Sequence, residues 1–143
     1  MKANSLKNST KDFIVEENGN LFYVVKSDKK KHKSSLTPHF SSFVQRNLKT
    51  SDEVRHSKSR EVSRLRVFTF LVINEGLNPV ICQAEMSTDG ITWGSFGESE
   101  STVFPGNMQV IVPQYFLRFA RLKFKNKKQG FNSAVTIWFQ GQS

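Results

Sequence analysis

From Arg64 onward, apolar residues recur at every second position. Leu65, Val67, Thr69, Leu71 and Ile73 fall on one face and Phe68, Phe70 and Val72 on the other, which is the two-residue period of a β-strand. A strand apolar on both faces predicts a central place in its sheet. The stretch from Asn74 to Pro79 ends it, because Gly76 and the Asn residues tolerate turn dihedrals and Pro79 has no N–H to donate. Val80 to Met86 predicts a second strand with Val80, Cys82, Ala84 and Met86 inward and Gln83 and Glu85 outward. Ser87 to Trp93 reads as a tight turn into a third strand, with Asp89 as its cap and Gly90 at positive φ. Pro105-Gly106 predicts another turn, followed by a strand over Met108 to Val112 that Pro113 stops. Tyr115 to Lys125 places Phe116, Ala120, Leu122 and Phe124 opposite Arg121, Lys123 and Lys125. A last strand, Ser133 to Gln140, sets Val135, Ile137 and Phe139 against Ala134, Thr136 and Trp138.

The first half is patterned differently. Phe13-Ile14-Val15 and Leu21 to Val25 flank Glu16-Glu17-Asn18-Gly19-Asn20, and Asn-Gly suits the two positive-φ positions of a type I′ hairpin turn. An isolated hairpin is marginal in water, so its apolar residues require cover from this chain or a neighbour. The basic run Lys26 to Ser35 offers nothing apolar to offset the entropy of ordering and reads as an exposed linker. Between Leu36 and Val62, Phe40, Phe43, Val44 and Leu48 fall at roughly helical spacing, which predicts one short helical turn. The expected architecture is therefore all-β, a β-sandwich or jelly roll of about eight strands, six from a domain over 64–143 together with the N-terminal hairpin, with an extended basic N-terminal arm over 1–63.

At 143 residues the chain has the size of one domain with an appendage. Phe accounts for 13 of its aromatic residues, beside two Trp and two Tyr, a bias toward side chains that pack without a polar partner. The net charge is +9, with residues 1–62 holding thirteen Lys/Arg against seven Asp/Glu and the remainder eight against five. Such a chain is attracted to polyanions, or simply kept soluble, by its charge. The single cysteine, Cys82, rules out an internal disulfide and reads as a core thiol. The N-terminus has a charged start but no apolar segment behind it, and no stretch approaches the roughly 20 apolar residues of a membrane span. These features predict a protein made in the cytoplasm without a classical signal peptide, with a place on a surface open to it after assembly.

The segments Val72 to Pro79, Ser87 to Trp93, Val103 to Val110 and Ala120-Arg121-Leu122, with the closing Ile137 to Gln142, together resemble an uncharacterised family of small β domains from spore-forming Gram-positive bacteria. The resemblance covers about Arg64 to Ser143. More distantly, the layout is similar to the jelly-roll subunits of endospore appendages, which implies that an N-terminal segment completes the sheet of the next subunit. This chain lacks the Cys-rich segment of those covalently linked fibres, so any assembly would rest on strand pairing.

No catalytic constellation is visible. His32, His39 and His56 show no metal-ligand spacing, and no nucleophile elbow, phosphate-binding glycine loop or paired carboxylates occur. The expectation is a non-enzymatic protein without metal or cofactor. Arg118, Arg121, Lys123 and Lys125 are candidates for polyanion binding, and Trp93 and Tyr115 for a sugar platform, although Trp93 also fits the core behind its hairpin. The favoured reading is a structural, self-assembling protein whose partner is itself, as a homo-oligomer or filament. Phe13, Val15, Leu21, Tyr23 and Val25 are its candidate strand-donation residues. The alternative is a polyanion- or carbohydrate-binding sandwich.

Overall fold

A computed structural model describes residues 13–17, 20–24 and 39–143. The chain divides into two compact units, Met1–Pro38 and His39–Ser143. In the first, β1 (Phe13–Glu17) and β2 (Asn20–Val24) form the expected antiparallel hairpin. Its register pairs Phe13 with Val24, Val15 with Phe22, Ile14 with Tyr23 and Glu16 with Leu21. The strand-donation candidates thus divide between two alternating sets of pairs. Val25, the Asn18-Gly19 turn and the basic run 26–35 lie outside the described residues.

The second unit holds ten strands and, among the described residues, no helix. They are β3 (Phe40–Lys49), β4 (Arg55–His56), β5 (Arg60–Glu61), β6 (Val67–Asn74), β7 (Val80–Ser87), β8 (Trp93–Gly94), β9 (Ser101–Val103), β10 (Met108–Ile111), β11 (Phe119–Asn126) and β12 (Ala134–Gln142). One sheet has the order β10-β6-β12-β3; the other runs β4-β11-β7-β8, with β5 also on β11 and β9 also on β7. The pairs are antiparallel throughout. As the two-faced apolar pattern predicts, β6 is internal to its sheet.

The compact unit begins at His39 rather than Arg64, because the segment expected to hold one helical turn is the ten-residue strand β3. The cause is a bulge. Phe43 pairs with Phe139 and Gln45 with Ile137, but the next core position, Leu48 opposite Val135, is reached only after an extra residue. Asn47 takes a φ of 55° in this segment, a conformation that Asn tolerates better than most residues. That insertion breaks the alternation and leaves apolar residues at a spacing that imitates a helix.

Between the sheets lies the core. Phe70, Val72, Val80, Cys82, Ala84, Met86, Val103, Ala120, Leu122, Phe124, Val135, Ile137 and Phe139 are buried. Phe139 packs edge-on to Phe70 with centroids 5.3 Å apart and touches Phe68 at 5.8 Å and Phe43 at 6.4 Å. Burial pushes the Cys82 thiol up to about 12, as expected of an inert core cysteine.

One end of the sandwich is closed by polar side chains. Asn74 donates from Nδ2 to the carbonyls of Asn78 (2.8 Å) and Val103 (2.9 Å), and its Oδ1 accepts from Gly76 N and Ser133 Oγ. Thr50 donates to Asn126 Oδ1 while Asn126 Nδ2 donates to Asp52 and Asn132. Gly76 is required by this closure, since a Cβ there would lie 2.6 Å from Ala134 N.

The β7–β8 turn follows its sequence signals. Gly90 has a φ of 82°, and Asp89 Oδ1 accepts the N–H groups of Ile91 and Thr92, both at 2.8 Å, and the Ser87 hydroxyl. These bonds hold the Asp89 carboxyl down at about 2. A carboxyl lowered on folding contributes stability above its ordinary value of 3.8 and loses it as pH falls toward about 2. Asp89→Ala is therefore expected to lower the melting temperature at pH 7, with the difference from the parent shrinking below pH 4 and gone near pH 2. Thermal melts of both proteins across that range check this.

Candidate interaction surfaces

The two sheets present chemically different outer faces. On the β10-β6-β12-β3 sheet, the register aligns Val110, Leu71, Trp138 and Val44 in one row across all four strands. Met108 and Ile73 form a shorter apolar row beside it. On the other side, Thr69, Gln140 and Ser42 make a polar row in which Gln140 Nε2 donates to Ser42 Oγ. Met108 is 64% exposed, Val110 56% and Val67 52%. Thr69, Leu71, Trp138 and Gln140 line a shallow depression of about 210 Å³. The Arg46 guanidinium lies 5.5 Å from the centre of the Trp138 ring. Strand β10 is an edge and ends before Val112, which is also exposed.

The outer face of the other sheet centres on Glu85, a nearly buried carboxylate. Arg121, its cross-strand partner, donates from Nε to Oε1 at 2.8 Å. Lys123 Nζ stands 4.0 Å from Oε2 and His56 Nε2 3.4 Å from Oε1. Desolvation, reinforced by the positive charge of Arg121, pulls the His56 imidazole below its ordinary range against the opposing pull of Glu85. Arg121 also stacks over the Trp93 ring at 4.0 Å. Among the described residues, no group of three metal-ligating side chains is brought together.

This geometry locates each residue singled out in the sequence. Arg121 and Lys123 do face outward together, but both are turned to Glu85, and Arg118 is paired with Glu61 at 3.2 Å. Lys125 shares a cleft of about 70 Å³ with Glu100, Gln83 and Lys123. Trp93 is not in the core, and the guanidinium of Arg121 occupies a face that a sugar ring would need. Tyr115, half exposed, donates its backbone N–H to Glu98 Oε2, as does Gln114. Glu98 is thus a buried loop tie. The sequence reading passed over the Val110–Leu71–Trp138–Val44 row; its signal was present in the apolar residues on both faces of β6, although only one of those faces meets the core.

A family model described as a domain of unknown function, DUF6385, matches residues 61–143, more than half of the chain. The chain belongs to this family. The expected resemblance to a family of small β domains thereby stands, and the DUF6385 match opens three residues before Arg64. No curated protein matches the chain in sequence. Among solved structures it is similar to PirA, at 13% identity and a TM-score of 0.50 over 71% of this chain and 92% of that one. The PBSX exported protein XepA aligns at 9% identity and a TM-score of 0.48, over 91% of this chain and 44% of that one. The Drosophila melanogaster CENP-C cupin domain aligns at 13% identity and 0.31, over 100% and 84%. The PirA likeness shows the fold alone, which for this DUF6385 member is all-β and sandwich-like.

Proposed function

We propose that this DUF6385 protein is a non-enzymatic structural module that self-associates, with the β1–β2 hairpin of one copy donated to the next. The observation that supports this reading most is the apolar row across the outer face of the four-stranded sheet. Within the His39–Ser143 unit Val110 and Met108 are left more than half exposed, and contiguous exposed apolar surface of this kind marks an interaction site more often than a free face. The hairpin supplies a second apolar element that cannot stand alone in water. The polyanion alternative is weakened because three of its four candidate cations lie against carboxylates, Arg118 on Glu61 and Arg121 with Lys123 sharing Glu85. A chain assembling in this way would build oligomers or filaments, with a surface appendage as their natural setting.

The test compares the full chain with a chain of residues 39–143. Size-exclusion chromatography and negative-stain microscopy at low and physiological salt are expected to show oligomers or filaments for the full chain and monomers for the shortened one. The shortened chain begins at His39 because a start near Ser59 would delete β3. Equal assembly by both chains would overturn hairpin donation.

A further inference from the structure

We infer that the acceptor of the donated hairpin is the outer face of the β10-β6-β12-β3 sheet in a second copy. The hairpin lies across the strands, with its Glu17–Asn20 end over β3 and its Phe13–Val24 end toward β10. This rests on the self-association reading and adds the docking surface and its polarity. Two independent features point to it.

The first is charge. Within Phe13–Val24 the only charged residues are Glu16 and Glu17, both beside the turn. The four strands of the proposed acceptor carry no carboxylate of their own, and their only charged residues are Arg46 and Lys49, both exposed on the edge strand β3; the one carboxylate brought to the face from beside them, Glu75, is engaged by the Thr136 hydroxyl at 2.7 Å. The strands of each element therefore hold their charges at one end, with opposite signs. Placing the Glu17–Asn20 end on β3 pairs the charges and brings the apolar strands of the hairpin over Val44, Trp138, Leu71 and Val110. The reverse orientation would leave both acids over the uncharged β10 edge. Complementary charge at the rim of an apolar contact fixes orientation in this way.

The second is length. A five-residue strand extends roughly 17 Å at about 3.3 Å per residue, and four strands at a spacing of about 4.8 Å span roughly 14 Å between the first and last axes. The hairpin is thus long enough to cross the whole face. Strands crossing at a steep angle are an established way for two sheets to pack.

The experiment uses the full chain in three forms: Arg46→Glu with Lys49→Glu, Glu16→Lys with Glu17→Lys, and all four substitutions together. Arg46 and Lys49 are exposed, so the melting temperature should be unchanged, which separates a docking defect from a folding defect. Each pair alone is expected to raise the concentration needed for half-assembly by on the order of a hundredfold, since like charges then face each other. The fourfold variant is expected to recover assembly. Val110→Lys, at an exposed site, is expected to abolish it. Wild-type assembly by the Arg46→Glu/Lys49→Glu protein would overturn this docking surface, as would failure of the fourfold variant to recover. Hairpin donation would survive either result if the 39–143 chain still failed to assemble. A monomeric wild-type chain would overturn both.

Discussion

Replacing Phe70 with alanine is expected to lower the stability of the His39–Ser143 unit by about 3–5 kcal/mol. Phe70 is 1% exposed, packs edge-on to Phe139 at 5.3 Å and lies at right angles to Phe68 at 6.4 Å. Truncation removes its transfer free energy and leaves a void that rings held by three paired strands cannot fill. For a unit of this size the melting temperature should fall by more than about 10 °C. The matched control is Phe131→Ala: Phe131 is exposed, and its loss should cost less than about 1 kcal/mol. Urea unfolding of the three proteins, with unchanged m-values, would check the comparison. A small effect at Phe70 would mean that the Phe cluster is not the centre of the core.

The second large effect is expected at Asn74. Its carboxamide makes four bonds, which is all that two donors and two lone pairs allow, and its side chain is fully buried. It joins the β6–β7 turn through Gly76 and Asn78, β9 through Val103 and the start of β12 through Ser133. Asn74→Ala would leave two carbonyls, one N–H and one hydroxyl without partners. The cost of such groups is their desolvation, not the modest net worth of a hydrogen bond, so a loss of about 3–4 kcal/mol is expected. Hydrogen exchange should show early opening at this end of the sandwich, before the Phe70 region. A uniform loss of protection would show that the polar closure and the aromatic core open as one unit.

What could be read from the sequence was whatever depends on local geometry. The Asp89-Gly90 and Pro105-Gly106 turns and the alternation in β6, β7, β11 and β12 all lie within short windows, where the backbone answers directly to residue type. Strand β3 was hidden because its bulge adds one residue between Gln45 and Leu48 and erases the period. The two-residue strands β4, β5 and β8 are too short to carry a pattern. Tyr115 to Arg118 lies outside β11, its backbone engaged instead by Glu98 and Val62. The surfaces were less legible than the fold. That Arg121 meets Glu85, 36 residues away, follows only from the pairing of β11 with β7, and the sequence shows a basic strip where the structure sets a carboxylate between Arg121 and Lys123. In the same way, the outward apolar residues of β6 announced themselves as a sign of centrality, while their alignment with Val110, Trp138 and Val44 depends on two cross-strand registers.

The position of β12 bears on how the protein comes into being. Among the described residues β3 has β12 as its sole partner, and β6 reaches β3 only through β12. During synthesis, some eighty residues must therefore follow β3 before Ala134–Gln142 emerge to insert between strands made long before. Until then the exposed edges of β3 and β6, with Phe43, Phe68 and Phe70, have no completed sheet to enter. Such late, long-range pairing slows folding and prolongs exposure of sticky edges. The nascent chain is thus most open to aggregation before β12 emerges, and the speed of translation through the β12 codons should influence the yield of native protein.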